Sequence, residues 1–147
     1  MCLCRVDHKE TDLLAVTPDK VVLGYKVFRL DAAGALWSLY NQFRVQFPTG
    51  GWVANPLGVN WVYGKRGMEY QAGFHVAHSL TYAQHLQSTC RIDRREGYKL
   101  VIRRVELRQL TAVGRQWSRD SFGDYRAVRT WVGQSIRVGT ENVGEVL

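Results

Sequence analysis

Strand-period runs follow one another along this chain with no long helix between them, an order that does not fit the strand–helix–strand repeat of a parallel sheet. Residues 21–30 (VVLGYKVFRL) join β-branched and aromatic residues with few helix formers, which predicts a strand buried on one face and partly on the other. Gly24 inside it marks a bulge or a close approach. Residues 42–47 alternate, with Phe43, Val45 and Phe47 on one face, while 35–40 suit a short helix or a strand equally. Residues 59–63 and 74–76 are further extended pieces. In 98–107 the apolar positions pass from even (Tyr98, Leu100, Ile102) to odd (Val105, Leu107), which predicts a bulge near Arg103 and Arg104. Residues 124–132 and 134–138 read as two closing strands separated by Gly133, and 139–147 as a frayed tail.

Turn clusters at 48–51 and 55–58 enclose Trp52 and Val53, and Gly64-Lys65-Arg66-Gly67 is a basic turn. The strongest helical signal starts at Ser79, a capping residue, and runs to Gln87 with Leu80, Ala83 and Leu86 inward. The expected fold is therefore α+β: a compact, β-rich, mostly antiparallel sheet that could close into a small open barrel, with one or two short helices. The 147 residues suit one domain spanning 1–147.

The formal charge is +7 and the isoelectric point about 9.6, with the excess mainly in 91–115 and 126–137. Such a field concentrates anions, whether nucleotide, nucleic acid, acidic protein or phospholipid, and also serves simply as a solvated surface. Residues 1–9 contain no apolar run of the signal-peptide kind and no stretch is long enough to span a bilayer, so the expected setting is cytoplasmic with no membrane partner. Three cysteines, two of them at Cys2 and Cys4, predict reduced thiols and no disulfide framework.

The stretch from Tyr70 to Leu80 brings Gly73, Phe74, His75 and His78 together at a strand exit into a helix, where unpaired N–H groups suit an anion. With Trp61, Lys65, Arg66 and Tyr70 these residues predict a pocket in which aromatic faces stack a base and cations meet phosphate. Alternation within strands also predicts that part of this aromatic group is core. A second reading places Arg94, Arg95, Arg103, Arg104 and Arg108 against the phosphates of a single-stranded nucleic acid. A third is enzymatic: Cys2, exposed as an N-terminal nucleophile by removal of Met1, or His75 as acid or base. Class II amidotransferases and abasic-site-crosslinking proteins also begin Met-Cys, with glycine and arginine next where this chain has Leu3 and Cys4.

No cofactor or metal is expected. His75 and His78 fall on opposite faces of an extended segment, and with His85 and Cys90 they match no zinc spacing. No Walker, Rossmann or nucleophile-elbow motif occurs. Glu69 is the one acid between Asp31 and Asp93, which disfavours paired-carboxylate chemistry.

The opening Met1-Cys2-Leu3, then Gly24-Tyr25-Lys26-Val27, Leu36-Trp37-Ser38-Leu39-Tyr40, and Gly73-Phe74-His75-Val76 leading to Tyr82-Ala83, resemble a group of small phage and prophage proteins. Those begin MCL and carry a YKV strand and a GFH or GIH strand followed by a helix. The part from Leu100 onward is similar to the GLHV-type domain of phage lysis-inhibition proteins. The resemblance implies a phage accessory protein that blunts host defence, and it supplies no catalytic residue. Cys4 and the long basic middle depart from the pattern.

Overall fold

A computed structural model describes residues 3–39, 45–56, 61–62, 69–90, 97–119 and 125–147. In chain order the elements are β1 (Arg5–Val6), α1 (His8–Leu14), β2 (Val22–Leu30), β3 (Leu36–Trp37), β4 (Gln46–Phe47), β5 (Trp52–Ala54), β6 (Trp61–Val62), β7 (Tyr70–Gln71), β8 (Phe74–Ala77), α2 (Leu80–Thr89), β9 (Lys99–Arg119) and β10 (Tyr125–Val143). All pairings between these strands are antiparallel, as expected. The fold is the β-rich α+β arrangement with two short helices. Among the described residues, no helix is long and apolar enough to cross a membrane.

Four strands form a partial ring: β2 pairs β9, β9 pairs β10, β10 pairs β8, and β8 returns to β2 through one pairing, Tyr25 with Ala77. Gly24 explains how that seam closes. A Cβ built there would lie 2.4 Å from Val76 Cγ1 and 2.7 Å from the Ala77 carbonyl oxygen, so only glycine lets β8 come this near. The sequence expectation of a close approach at Gly24 is met here. Gly24→Ala is expected to destabilise the protein by about 1–3 kcal/mol through overpacking, read as a lower urea midpoint at unchanged slope.

The core lies in three groups. Phe28, Phe47 and Phe74 stack edge-on at 5.1 and 5.7 Å between ring centres, among Val101, Val105, Leu107, Ile136 and Val138. Ala83 of α2 covers Val27, Leu100, Ile102 and Val128 on the other side of β2 and β9, with Leu80 and Leu86 partly buried against them as the helical spacing predicted. Ser79 caps this helix by accepting the Tyr82 N–H. Leu3, Val6, Tyr70, Ala112 and Val132 form the third group.

Three expectations need correction. The switch of apolar parity in 98–107 is not a bulge in β9 itself, which stays in unbroken register with β2 from Lys99 to Leu107; the bulge near Arg103 and Arg104 lies in the facing strand, where β10 shifts register between Val138 and Asn142. Leu100, Val101, Ile102 and Arg103 are all buried, since α2 lies on one face and the phenylalanine core on the other. The bulge in β9 comes later, where Val132 and Gly133 pair with Ala112 and Leu110, just beyond Gln109 at φ 55°. Second, the two closing strands are one, running through Gly133. Third, residues 139–147 are not frayed. Residues 139–143 continue β10, Leu147 exchanges two backbone hydrogen bonds with Leu100 (2.6 and 3.0 Å), and Gln87 donates to the Glu145 carbonyl at 2.7 Å.

Residues 42–44, the first half of the strand expected at 42–47, lie outside the described residues, and its end forms β4; of the strand expected at 59–63, residues 59, 60 and 63 lie outside them, and Trp61 and Val62 form β6. The helix α1 was not anticipated. Its signal was present: Asp7 stands three residues before Glu10 and accepts the Glu10 N–H at 3.1 Å, an N-cap in a capping-box spacing.

Candidate functional site

The residues drawn together by sequence around Tyr70 separate into distinct surroundings. Phe74 belongs to the phenylalanine core, whereas Trp61 is 54% exposed. His78 is exposed, and its backbone N–H donates to the Arg129 carbonyl at 3.0 Å. Gly73 lies tight against β10, where a Cβ would come 2.4 Å from the Gly133 carbonyl oxygen. Lys65, Arg66, Arg94, Arg95 and Cys2 fall outside the described residues.

Tyr70 and His75 do meet, in a closed relay. The Leu3 N–H donates to Tyr70 Oη at 2.8 Å, and Tyr70 Oη lies 3.1 Å from His75 Nε2. His75 Nδ1 lies 3.1 Å from the Gly73 carbonyl oxygen. Because a carbonyl only accepts, Nδ1 carries the proton, Nε2 accepts from the tyrosine hydroxyl, and the imidazole is neutral. Lys26 donates from Nζ to the His75 carbonyl at 2.8 Å, beside the ring seam. Burial lowers the Lys26 ammonium to about 8, and burial together with the Lys26 charge pushes His75 down to about 3. So weak a base is poorly suited to take a proton at neutral pH.

The sign of the pH effect follows. The folded state holds His75 neutral while the unfolded chain binds a proton near pH 6.5, so folding is disfavoured increasingly as pH falls from about 6.5 toward 3. Between pH 6.5 and 4.5 this residue is expected to remove about 2–3 kcal/mol of stability. Urea titrations at the two pH values check it: the loss should shrink in His75→Gln. Asp31 does not blur this window, because its hydrogen bonds from Trp37 and from the Ala35 and Ala33 amides hold it below the usual carboxylate range.

Cations and aromatics converge instead on the outer face of the β2–β9–β10–β5 sheet. Strand register puts Leu23 beside Glu106, Glu106 beside Arg137 and Arg137 beside Trp52, so these four form one cross-strand row. Tyr25 and Arg104 are partners in the adjoining row. Arg137 pairs ionically with Glu106. The Trp52 ring lies 4.0 Å from the Arg108 guanidinium and 5.2 Å from that of Arg137, both within cation–π reach.

A cleft opens beside this row. Between Val138 and Asn142, β10 holds two more residues than the facing stretch of β9 from Val105 to Arg103, so the ladder parts there. The buried Arg103 guanidinium fastens the gap, donating to Asn142 Oδ1 at 2.7 Å and the Gly139 carbonyl at 2.9 Å. Arg103, expected to meet phosphate, is thus turned inward, whereas Arg104 and Arg108 are exposed. The cleft has a volume of about 710 Å³ and is lined by Leu23, Tyr25, Arg104, Glu106, Arg137 and Thr140, among others. That is within the range of small-molecule sites.

No protein-family model matches this chain, and neither the curated proteins nor the solved structures yield a match. Among the described residues, no group of three or more histidine, cysteine or acidic side chains could hold a metal ion. Sequence reasoning missed Trp52, Tyr25 and Arg137 as partners of Arg104 and Arg108. Their convergence depends on which strands are neighbours, and no local spacing encodes that.

Proposed function

We propose that this protein captures a nucleotide or another phosphate-bearing small molecule in the cleft between β2, β9 and the parted segment of β10, holding it without turnover. The observation that carries this reading is the joint placement of the Arg104 and Arg137 guanidinium groups and the Tyr25 ring on an open cleft, with Trp52 stacked on at its edge. Planar guanidinium groups form paired charge-assisted hydrogen bonds with phosphate, and aromatic faces stack on bases. Glu106, the carboxylate among the lining residues, is engaged by Arg137, which leaves the cleft's charge to Arg104. The likeness to phage proteins gives such capture a setting: withdrawal of a phosphate-bearing signal from a host defence.

Calorimetry against linear and cyclic nucleotides tests the proposal. Saturable heat with at least one nucleotide supports it, and no heat with any of them contradicts it. Affinity confined to oligonucleotides and falling steeply with salt would instead favour the single-strand reading.

A further inference from the structure

A second concentration of positive charge lies farther along the β9–β10 pair, away from the cleft. Arg5 of β1 pairs in register with Arg115 of β9, and Arg115 pairs in register with Arg129 of β10. Three arginines therefore stand side by side on one sheet face, at the spacing of adjacent strands, about 5 Å. Like charges directly opposite each other in a sheet repel. Arg5 and Arg115 are exposed, so no demand of core packing places arginine there.

Among the described residues, one carboxylate answers the three cations. Glu10 of α1 pairs with Arg129. Among the described residues, the buried Arg129 Nε nevertheless has no hydrogen-bond partner, a donor left unused at the row. The surroundings favour one compact anion over a polyanion lying across the site. Helix α1 rises along one side of the row, tied to β9 by the Thr11 hydroxyl on the Val113 carbonyl (3.3 Å) and by the Val113 N–H on Thr11 Oγ1 (3.1 Å). It and its cap carry Asp7, Glu10 and Asp12, which would repel the neighbouring phosphates of a strand passing over the helix.

We propose that the Arg5–Arg115–Arg129 row is a separate site for a single phosphate group of the monoester type, with Glu10 as its resident counter-ion. A phosphate dianion brings up to two charges and three acceptor oxygens to a place that now offers one carboxylate. It would compete with Glu10 for Arg129.

The test uses the full chain carrying Arg104→Gln and Arg137→Gln, so that the cleft proposed above is disabled and failure of one site cannot be mistaken for failure of the other. Inorganic phosphate is titrated while the backbone amides of Val6, Gly114, Arg115 and Arg129 are followed by NMR, with dimethyl phosphate as the diester control. Saturable shifts are expected, with phosphate binding at least tenfold tighter than dimethyl phosphate. Adding Arg115→Gln should weaken phosphate binding at least tenfold while the melting temperature holds or rises, because a repulsive neighbour is gone. Adding Glu10→Gln should tighten binding several-fold. Absence of saturable shifts, indifference to Arg115→Gln, or displacement of phosphate by an oligonucleotide without terminal phosphates would overturn the proposal.

Discussion

Tyr70→Phe is expected to lower stability by about 2 kcal/mol and Tyr70→Ala by about 4 kcal/mol, with ligand affinity unchanged in the molecules that remain folded. Tyr70 is 2% exposed, and its hydroxyl both satisfies the Leu3 N–H and donates to His75 Nε2. Removing the hydroxyl leaves a buried amide and a ring nitrogen without partners, a loss of about 1–3 kcal/mol. Removing the ring adds a cavity beside Val132, Ala112 and Leu3, and such truncations cost about 3–5 kcal/mol. Chemical denaturation measures both changes. A Tyr70→Phe variant that keeps its stability and loses nucleotide binding would make Tyr70 a ligand contact and move the site back to the strand exit near Gly73.

Arg104→Gln and Arg137→Gln are each expected to weaken nucleotide binding about 100-fold, as loss of a charge-assisted phosphate contact of about 2–3 kcal/mol implies. Their stabilities should stay within about 1 kcal/mol of the parent, because both side chains sit in solvent and exposed ion pairs such as Arg137–Glu106 contribute little. The double variant should lose less than the sum, since both arginines address one ligand. Calorimetry paired with melting curves separates these effects. Unchanged affinity in both single variants would empty the cleft of its proposed role.

Much of the fold was legible because the strands that matter are long and patterned by burial. Residues 21–30 and the helix beginning at Ser79 show their elements through β-branched density and a capping serine, and both appear within a residue or two of the expected bounds. The reading failed where tertiary packing changes what alternation means. Residues Leu100 to Arg103 are buried on both faces, so the shift of apolar parity records where α2 stops covering β9, while the bulge opposite Arg103 and Arg104 belongs to β10. The tail from 139 onward is polar and short, yet it is held because β10 continues into it and Leu147 exchanges hydrogen bonds with Leu100.

The site was less legible, for a related reason. Tyr70, Phe74 and His75 are close in sequence, but the turn between β7 and β8 and the pleat of β8 send Phe74 to the phenylalanine core and His75 to the tyrosine. Arg104 and Arg108 were visible as a basic strand. Their aromatic neighbours, Tyr25 from β2 and Trp52 from β5, lie many residues away in sequence and reach the same sheet face only through register. Arg103 and Arg104 are adjacent and chemically identical, and the pleat alone assigns one to fastening β10 and the other to solvent.

The most direct measurement is backbone amide shift mapping by NMR as the tightest nucleotide of the panel is titrated into the unaltered protein. Capture in the cleft predicts that the largest shifts fall on Leu23, Gly24, Tyr25, Arg104, Gly139 and Thr140, with Trp61, Gln71 and Gly73 unmoved. Shifts centred on Trp61, Tyr70 and Gly73, with the cleft residues silent, would contradict it.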